Sequence, residues 1–478
     1  MVTLQTSSAR AIETDVAVIG AGTAGLAAYR VAKQAGKRVL LIEGGVGGTT
    51  CARVGCMPSK LLIAPAEALH AVDRFEAFGI ELEGRTKVDG RAVMARVRRE
   101  RDRFVGFVMR GVEAIPDADR IVGAARFVDD TTIRVDERLT INASRVVIAT
   151  GSSPSYPASW KLLGNRLVTS EDVFYWADLP ESVAVFGPGV IGLELGQALH
   201  RLGVRVKIFG RGGGIGPLTD PVMLELGRKL YGEELYLDSD AHADIVRDGD
   251  HVNVTFRALD GTIQVEPFDY ALAATGRVPN VKGLGLENTS LKLHPNGVPI
   301  HDRNTLRCGD SSIFIAGDAT HDIPILHEAS DEGRIAGENA ARFPDVLAVE
   351  RRAGLGIVFA DPQIAIVGGG WAAIREVPHV SGEVSFEDQG RARVMLRNQG
   401  RLHVYAEAGT GLFLGAEMIG PDAEHIGHLL AWALQMDMTV DRMLEMPFYH
   451  PVVEEGLRTA LRDARAKLEV LAAARAAA

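Results

Sequence analysis

Two cysteines five positions apart, Cys51 and Cys56, stand in the run Gly47-Gly-Thr-Thr50-Cys51-Ala-Arg-Val-Gly-Cys56-Met-Pro58-Ser-Lys60. Cysteines at this spacing can close a small disulfide loop, or can cycle between dithiol and disulfide. In a cytoplasm that keeps thiols reduced, a paired dithiol points to catalysis rather than structure. A CxxxxC run without a second Cys/His pair is not zinc spacing, so no metal is expected. Pro58 suits the start of a helix. The pair therefore falls near a helix N-terminus, where a thiolate is favoured.

The elements that would carry such a pair are nucleotide-binding ones. Asp15-Val-Ala-Val-Ile-Gly20 is a strand-length apolar run ending in glycine. It leads into Gly20-Ala-Gly22-Thr-Ala-Gly25, an Ala-rich helical pattern to about Gly36, and a second run, Arg38-Val-Leu-Leu-Ile-Glu43. Strand, glycine turn, helix, and strand with an acid about 20 residues on form the dinucleotide fingerprint. Gly20 makes the turn, Gly22 lets backbone N–H groups approach a pyrophosphate, and Gly25 permits close helix–strand packing.

A second copy follows: Ser182-Val-Ala-Val-Phe186, then Gly187-Pro-Gly189-Val-Ile-Gly192, a helical segment to Arg201, and Val204-Arg-Val-Lys-Ile-Phe209. Two fingerprints imply two nucleotide domains, one inserted in the other. The strands Val146-Val-Ile-Ala-Thr150-Gly151 and Tyr270-Ala-Leu-Ala-Ala-Thr275-Gly276 close the first part and the insert. Ser312-Ile-Phe-Ile-Ala-Gly317-Asp318 resumes the first domain. From about Gly354 short alternating runs, Arg393–Arg397 and His403–Tyr405, precede a helical stretch from Glu424 to Met436. This reads as an antiparallel sheet with helices.

Composition narrows the classes. The chain has 478 residues, about three domains' worth. Its 53 glycines exceed the usual share of about 7%, as repeated phosphate-approaching turns require. The formal charge of −10 and 6% aromatic content argue against a nucleic-acid partner. Three cysteines are too few for a secreted disulfide scaffold. Met1 to Glu13 is polar without a signal-peptide core, and no run has the length of a membrane span. A cytoplasmic protein without membrane association is expected.

With these motifs in this order, the sequence resembles the pyridine nucleotide–disulfide oxidoreductases over essentially its whole length. The resemblance implies an α/β fold: two Rossmann-like dinucleotide-binding domains, for FAD and NAD(P), plus a C-terminal α+β dimerisation domain. It implies an FAD domain from 1–150 and 281–350, an NAD(P) domain at 151–280, and an interface domain at 351–478. Gly20, Gly22, Gly25 and Glu43 would hold the FAD pyrophosphate and ribose, with Thr50, Thr150, Gly151, Gly317 and Asp318 completing the site. Lys60 matches the family's lysine beside the flavin, paired with Glu194. Gly187, Gly189, Gly192, Arg211 and Gly276 would serve the nicotinamide dinucleotide, although Thr275, Gly276 and Arg277 read more as positional than chemical.

By the same resemblance Cys56 is the sulfur nearest the flavin and Cys51 exchanges with substrate. His450, in His450-Pro451-Val-Val-Glu454-Glu455, would serve the partner subunit's site in a homodimer, oriented by Glu455. Thiol–disulfide exchange needs a base to make one thiolate and an acid to reprotonate another, and a carboxylate-held imidazole serves both near pH 7. Cys308 reads as an inert buried thiol.

The nicotinamide signals conflict. An NAD enzyme usually ends the second strand with an acid gripping the ribose 2′-OH, but here Gly210 is followed by Arg211, which could meet a 2′-phosphate. Pro217 stands where a second arginine would fall, and Gly192 is the NAD-like choice, so the balance favours NAD with a relaxed preference. The C-terminus has no cysteine pair, against mercuric reductases and the larger thioredoxin reductases. Valine at 190, where glutathione reductases commonly gate with tyrosine, favours the lipoamide branch. Dihydrolipoamide, free or on a lipoyl carrier domain, is the expected substrate. The alternative is an NADPH-dependent reductase of a low-molecular-weight disulfide. A non-catalytic flavoprotein subunit would not need Cys51, Cys56 or His450.

Overall fold

The computed structural model describes residues 10–136 and 138–477, so the reading of Met1 to Glu13 falls mostly outside the described residues. The chain divides into two compact units.

The first unit draws on residues 10–58, 99–155 and 277–351. Its sheet centres on strand Arg10–Ile19, whose apolar residues from Val16 onward are buried. Val39–Glu43 pairs with it in parallel on one side and Leu139–Ile148 on the other. Arg120–Val122 and Ile313–Ile315 extend the parallel run at either end. Reading across, the parallel strands follow the 3-2-1-4-5 order of a doubly wound nucleotide fold. Thr132–Val135 and Ala125–Phe127 add an antiparallel edge.

Helix Thr23–Gln34 follows the first glycine turn and lies along helix Leu326–Arg342. The backbones nearly touch. A Cβ on Gly333 would stand 2.1 Å from the Ala24 carbonyl oxygen, and one on Gly337 2.6 Å from that of Ala28.

The second unit draws on residues 59–98, 156–276 and 352–477. It holds a second all-parallel sheet in the order Tyr236–Asp238, Arg205–Phe209, Ser182–Phe186, Tyr270–Ala273, Leu167–Thr169. An antiparallel three-stranded sheet, from Ala243–Asp248 to Ile263–Phe268, accompanies it. The third sheet is antiparallel and five-stranded, ordered Leu355–Val358, Gln363–Val367, Phe413–Gly420, Arg401–Glu407, His379–Ser385. Helices Ala423–Gln435 and Glu455–Ala477 pack on it. Two doubly wound sheets and an antiparallel sheet with helices make up the expected fold class.

One expected strand is absent. Arg393–Arg397 falls in and just past a short helix, Gly390–Val394, because the Gln389 side chain accepts from the N–H of Ala392 and starts a helical turn. Local capping outweighed the alternation of apolar residues.

A buried polar knot joins the second parallel sheet's region to the antiparallel one. Glu417, fully buried, accepts from the N–H groups of Thr219 (3.0 Å), Asp220 (3.1 Å) and Trp371 (2.9 Å). Asp220 in turn accepts from His403 Nδ1 at 2.8 Å and the Tyr405 hydroxyl at 2.9 Å. Among the described residues, no helix is long and apolar enough to cross a membrane. No group of three or more His, Cys, Asp or Glu side chains there is placed to hold a metal ion.

Candidate active site

Thr49 accepts from the N–H of Ala52 at 3.3 Å and starts helix Thr50–Val54. Gly55 ends it, and helix Cys56–His70 begins at once. This break between two helices sets the cysteines against each other. Neither is joined in a disulfide; Cys51 is half-buried and Cys56 exposed. Hydrogen bonding with Cys56 first, then burial, pushes the Cys51 thiol up. The N–H groups of Cys56 and Met57, at the head of the second helix, pull it back. The Cys51 sulfur therefore faces both Cys56 and the N–H groups at the head of the second helix. Thr50 is exposed as the first residue of the shorter helix.

The two glycine turns are near-copies in space. A Cβ on Gly25 would lie 1.8 Å from the Gly20 carbonyl oxygen, and one on Gly192 1.8 Å from that of Gly187. Gly20 and Gly187 hold φ of +106° and +109°. Gly22 and Gly189, the caps of the following helices, face open space, and no side chain caps either helix. Bare helix N-termini beside open space are built for an anionic group.

In the first unit Glu43 turns onto this loop, accepting from the N–H groups of Ala21 and Gly45, each at 2.7 Å. Thr150 Oγ1 is buried with no hydrogen-bond partner, and Gly151 beside it has φ +69° and open space. Asp318 accepts from Ser152 Oγ at 2.7 Å, and Arg277 donates to that same oxygen at 2.8 Å. The N–H of Gly317 donates to Glu332 at 2.8 Å, whose other carboxylate oxygen takes two nitrogens of Arg351. An orphaned hydroxyl, an open glycine cradle and a fixed carboxylate fit a dinucleotide such as FAD.

In the second unit, Lys60 Nζ lies 3.0 and 2.8 Å from the two oxygens of Glu194, so the expected pair is formed. Glu194 is buried and also accepts from the N–H of Phe359 at 3.1 Å. Sequence reasoning missed Phe359. It also missed Gln197 and Arg201, although Glu194, Gln197 and Arg201 make a polar stripe at helical spacing in a mostly apolar helix. That stripe was a readable signal.

Around the second fingerprint, Gly276 has φ +114° and open space, and Arg211 is exposed. At the C-terminal end, His450 Nδ1 lies 2.9 Å from Glu455 Oε2, and Arg458 donates to the other oxygen at 3.0 Å. Burial opposes ionisation of Glu455, but the His450 hydrogen bond and charge, helped by Arg458, hold its carboxyl below the usual range. The imidazole is 79% exposed. Cys308 is fully buried, and burial pushes its thiol up to about 12.

Comparison with known proteins bears on most of the chain. Residues 14–333 match the family described as pyridine nucleotide-disulphide oxidoreductase, and residues 355–461 match its dimerisation domain. The dihydrolipoyl dehydrogenase of Geobacillus stearothermophilus is 32% identical over 456 residues, covering 93% of this chain and 95% of its own. A mercuric reductase of Shigella flexneri is 31% identical over 461 residues, 93% of this chain and 80% of its own. The crystal structure of LpdA from Mycobacterium tuberculosis has a TM-score of 0.79 at 26% identity, over 94% of this chain and 99% of that one.

Proposed function

Because the chain belongs to the pyridine nucleotide–disulphide oxidoreductases, flavoenzymes that use FAD and NAD(P), we propose that it is a dihydrolipoyl dehydrogenase. It would pass two electrons from a dihydrolipoyl dithiol, free or on a carrier domain, to NAD(P). The observation that carries this reading is the dithiol itself: Cys51 and Cys56, hydrogen-bonded to each other at the head of a helix. Its relatives support the choice of substrate class.

In the oxidised protein the two sulfurs are joined. A substrate thiolate attacks Cys51, forming a mixed disulfide and releasing Cys56 as thiolate. The second substrate thiol, deprotonated, attacks the substrate sulfur of that mixed disulfide. Substrate leaves as its cyclic disulfide, and the Cys51 thiolate is released to the helix N–H groups that face it. Two electrons now reside on the cysteine pair. His450 of the partner subunit takes the proton at Nε2, while Glu455 holds Nδ1. Bound FAD supplies the two-electron relay between this pair and the nicotinamide.

The first glycine turn, Glu43, Thr150 and Asp318 would hold FAD, and Lys60, held by Glu194, would present its ammonium to the flavin. The second glycine turn and Arg211 would hold the nicotinamide dinucleotide. The domain boundaries given above belong to this reading. So does the homodimer, which the match to a dimerisation domain supports. Trp432, Met436 and Tyr449, 67%, 73% and 79% exposed within that matched region, are exposed apolar side chains a second copy would cover.

A second reading is an NADPH-dependent reductase of a small disulfide. The exposed Arg211 beside the sterically closed Gly210 favours it. A steady-state panel separates the two: dihydrolipoamide with NAD and NADP, and oxidised glutathione with NADH and NADPH. Dihydrolipoamide is expected to give the highest kcat/KM. A higher value with glutathione and NADPH would overturn the first reading in favour of the second.

A further inference from the structure

We propose that Phe359 is a positioning residue for the Lys60 ammonium, holding it in the direction in which it acts on the flavin. This rests on the reading of Lys60 given above.

A lysine side chain on a helix surface has a flexible four-carbon stem with many accessible rotamers. Lys60 is about one-third exposed, so it would swing without restraint. Glu194 sets the distance, since both its oxygens lie within 3.0 Å of Nζ. A carboxylate alone leaves the ammonium free to pivot around it. The ring of Phe359 closes that freedom. Lys60 Nζ sits 4.4 Å from the ring centroid, over its electron-rich face.

Phe359 thus touches both members of the pair: its ring meets the cation, and its N–H donates to the anion at 3.1 Å. Its backbone is itself fixed. Two residues on, Asp361 donates its N–H to Gln197 Oε1 at 2.8 Å, and its carbonyl accepts from Gln197 Nε2 at 2.7 Å. Arg201 reaches the Asp361 carboxylate at 3.2 Å. Glu194, Gln197 and Arg201 share one face of helix Val190–Arg201 and clamp the segment 359–361. Phe359 is therefore a rigid wall rather than a mobile neighbour.

The test uses the FAD-loaded protein and reads the two-electron midpoint potential of the flavin. A fixed cation favours the more negative, reduced flavin, so Lys60→Met lowers the potential. Phe359→Leu keeps the apolar bulk and the N–H but removes the ring face. It should lower the potential by part of the Lys60→Met shift, and Phe359→Tyr should leave it unchanged. The double variant Lys60→Met/Phe359→Leu should match Lys60→Met alone, because the ring acts only through the lysine. An unchanged potential in Phe359→Leu, or full additivity in the double variant, overturns the inference while leaving Lys60's role intact. An unchanged potential in Lys60→Met overturns the reading of Lys60 and this inference with it.

Discussion

Gly210 and Ser239 approach so closely that no side chain can stand at residue 210. A Cβ there would lie 2.5 Å from the Ser239 carbonyl oxygen and 2.8 Å from Pro188 Cγ. The N–H of Gly210 donates to the Asp238 carbonyl at 2.6 Å, and that of Ala241 to the Gly210 carbonyl at 3.0 Å, so the approach is locked by backbone. An acid ending this strand, the usual grip on the NAD ribose, has no room. Gly210→Asp should cost about 1–3 kcal/mol of stability and should not raise NADH over NADPH. Arg211→Ala should lower kcat/KM with NADPH about tenfold, the order of one charge-assisted hydrogen bond, and with NADH by less. Thermal melts and kinetics with both nucleotides check this; a greater loss with NADH would contradict it.

Thr150 carries a hydroxyl that is buried without a partner. Such a group lowers stability until a ligand satisfies it. Thr150→Val should leave the FAD-free protein as stable or slightly more so, and weaken FAD binding about fivefold, near 1 kcal/mol. Fluorescence of released FAD and melting of the stripped protein measure the two effects. A destabilised apo-protein with unchanged FAD binding would show that the hydroxyl serves the fold instead.

Cys51 is the sulfur proposed to meet substrate. Cys51→Ser should abolish dihydrolipoamide turnover while NADH oxidation by ferricyanide persists. That second assay needs the nicotinamide and FAD but no disulfide exchange. Full dihydrolipoamide activity in the variant would rule out the dithiol mechanism.

His450→Gln should lower kcat with dihydrolipoamide by about 10²–10⁴-fold, the usual contribution of a positioned acid–base group. Glu455→Gln should lower it less, because the amide still accepts from Nδ1 but lacks the charge. The Glu455 carboxyl is held below its ordinary value of 4.5. Its charge is therefore complete above that value and lost only as pH falls through the lower folded one. Across pH 6–9 the ratio of wild-type to Glu455→Gln rates should show no step from Glu455 itself. A step from its titration in that window would disprove the assignment.

Asp220 makes stability depend on acid pH. Burial pushes its carboxyl up, but the His403 hydrogen bond and charge, the Val222 N–H and the Tyr405 hydroxyl hold it below the ordinary 3.8. The stabilisation is present above that value and is lost as pH falls through the folded one. Asp220→Asn should cost on the order of 3 kcal/mol at pH 7, with the gap to wild type narrowing in strong acid. Denaturant melts at both pH values measure the gap, and an equal gap at each would refute the role.

The site was legible where its signals are local. Both glycine turns could be assigned from spacing, since each needs only a strand end, a turn and a helix start. The helix break that pairs Cys51 with Cys56 follows from Thr49, Gly55 and Pro58, all neighbours in sequence. His450 and Glu455 meet within a single turn of chain. The Lys60–Glu194 pair lies beyond such reach and was expected only through resemblance. Reading Arg393–Arg397 as strand failed because apolar alternation over five residues carries less weight than the cap supplied by Gln389.

By itself, then, the sequence determined the spacing of the two cysteines and the two dinucleotide turns, while the pairing of His450 with Glu455 came with the resemblance. Residue types and short spacings encode the first two directly. Tertiary structure alone decided that residue 210 can hold no acid, that Thr150 is left without a partner, and that Phe359 walls in Lys60. Each depends on backbone brought from distant stretches to within a few ångströms. Close packing, and not any periodicity of the chain, sets what fits there.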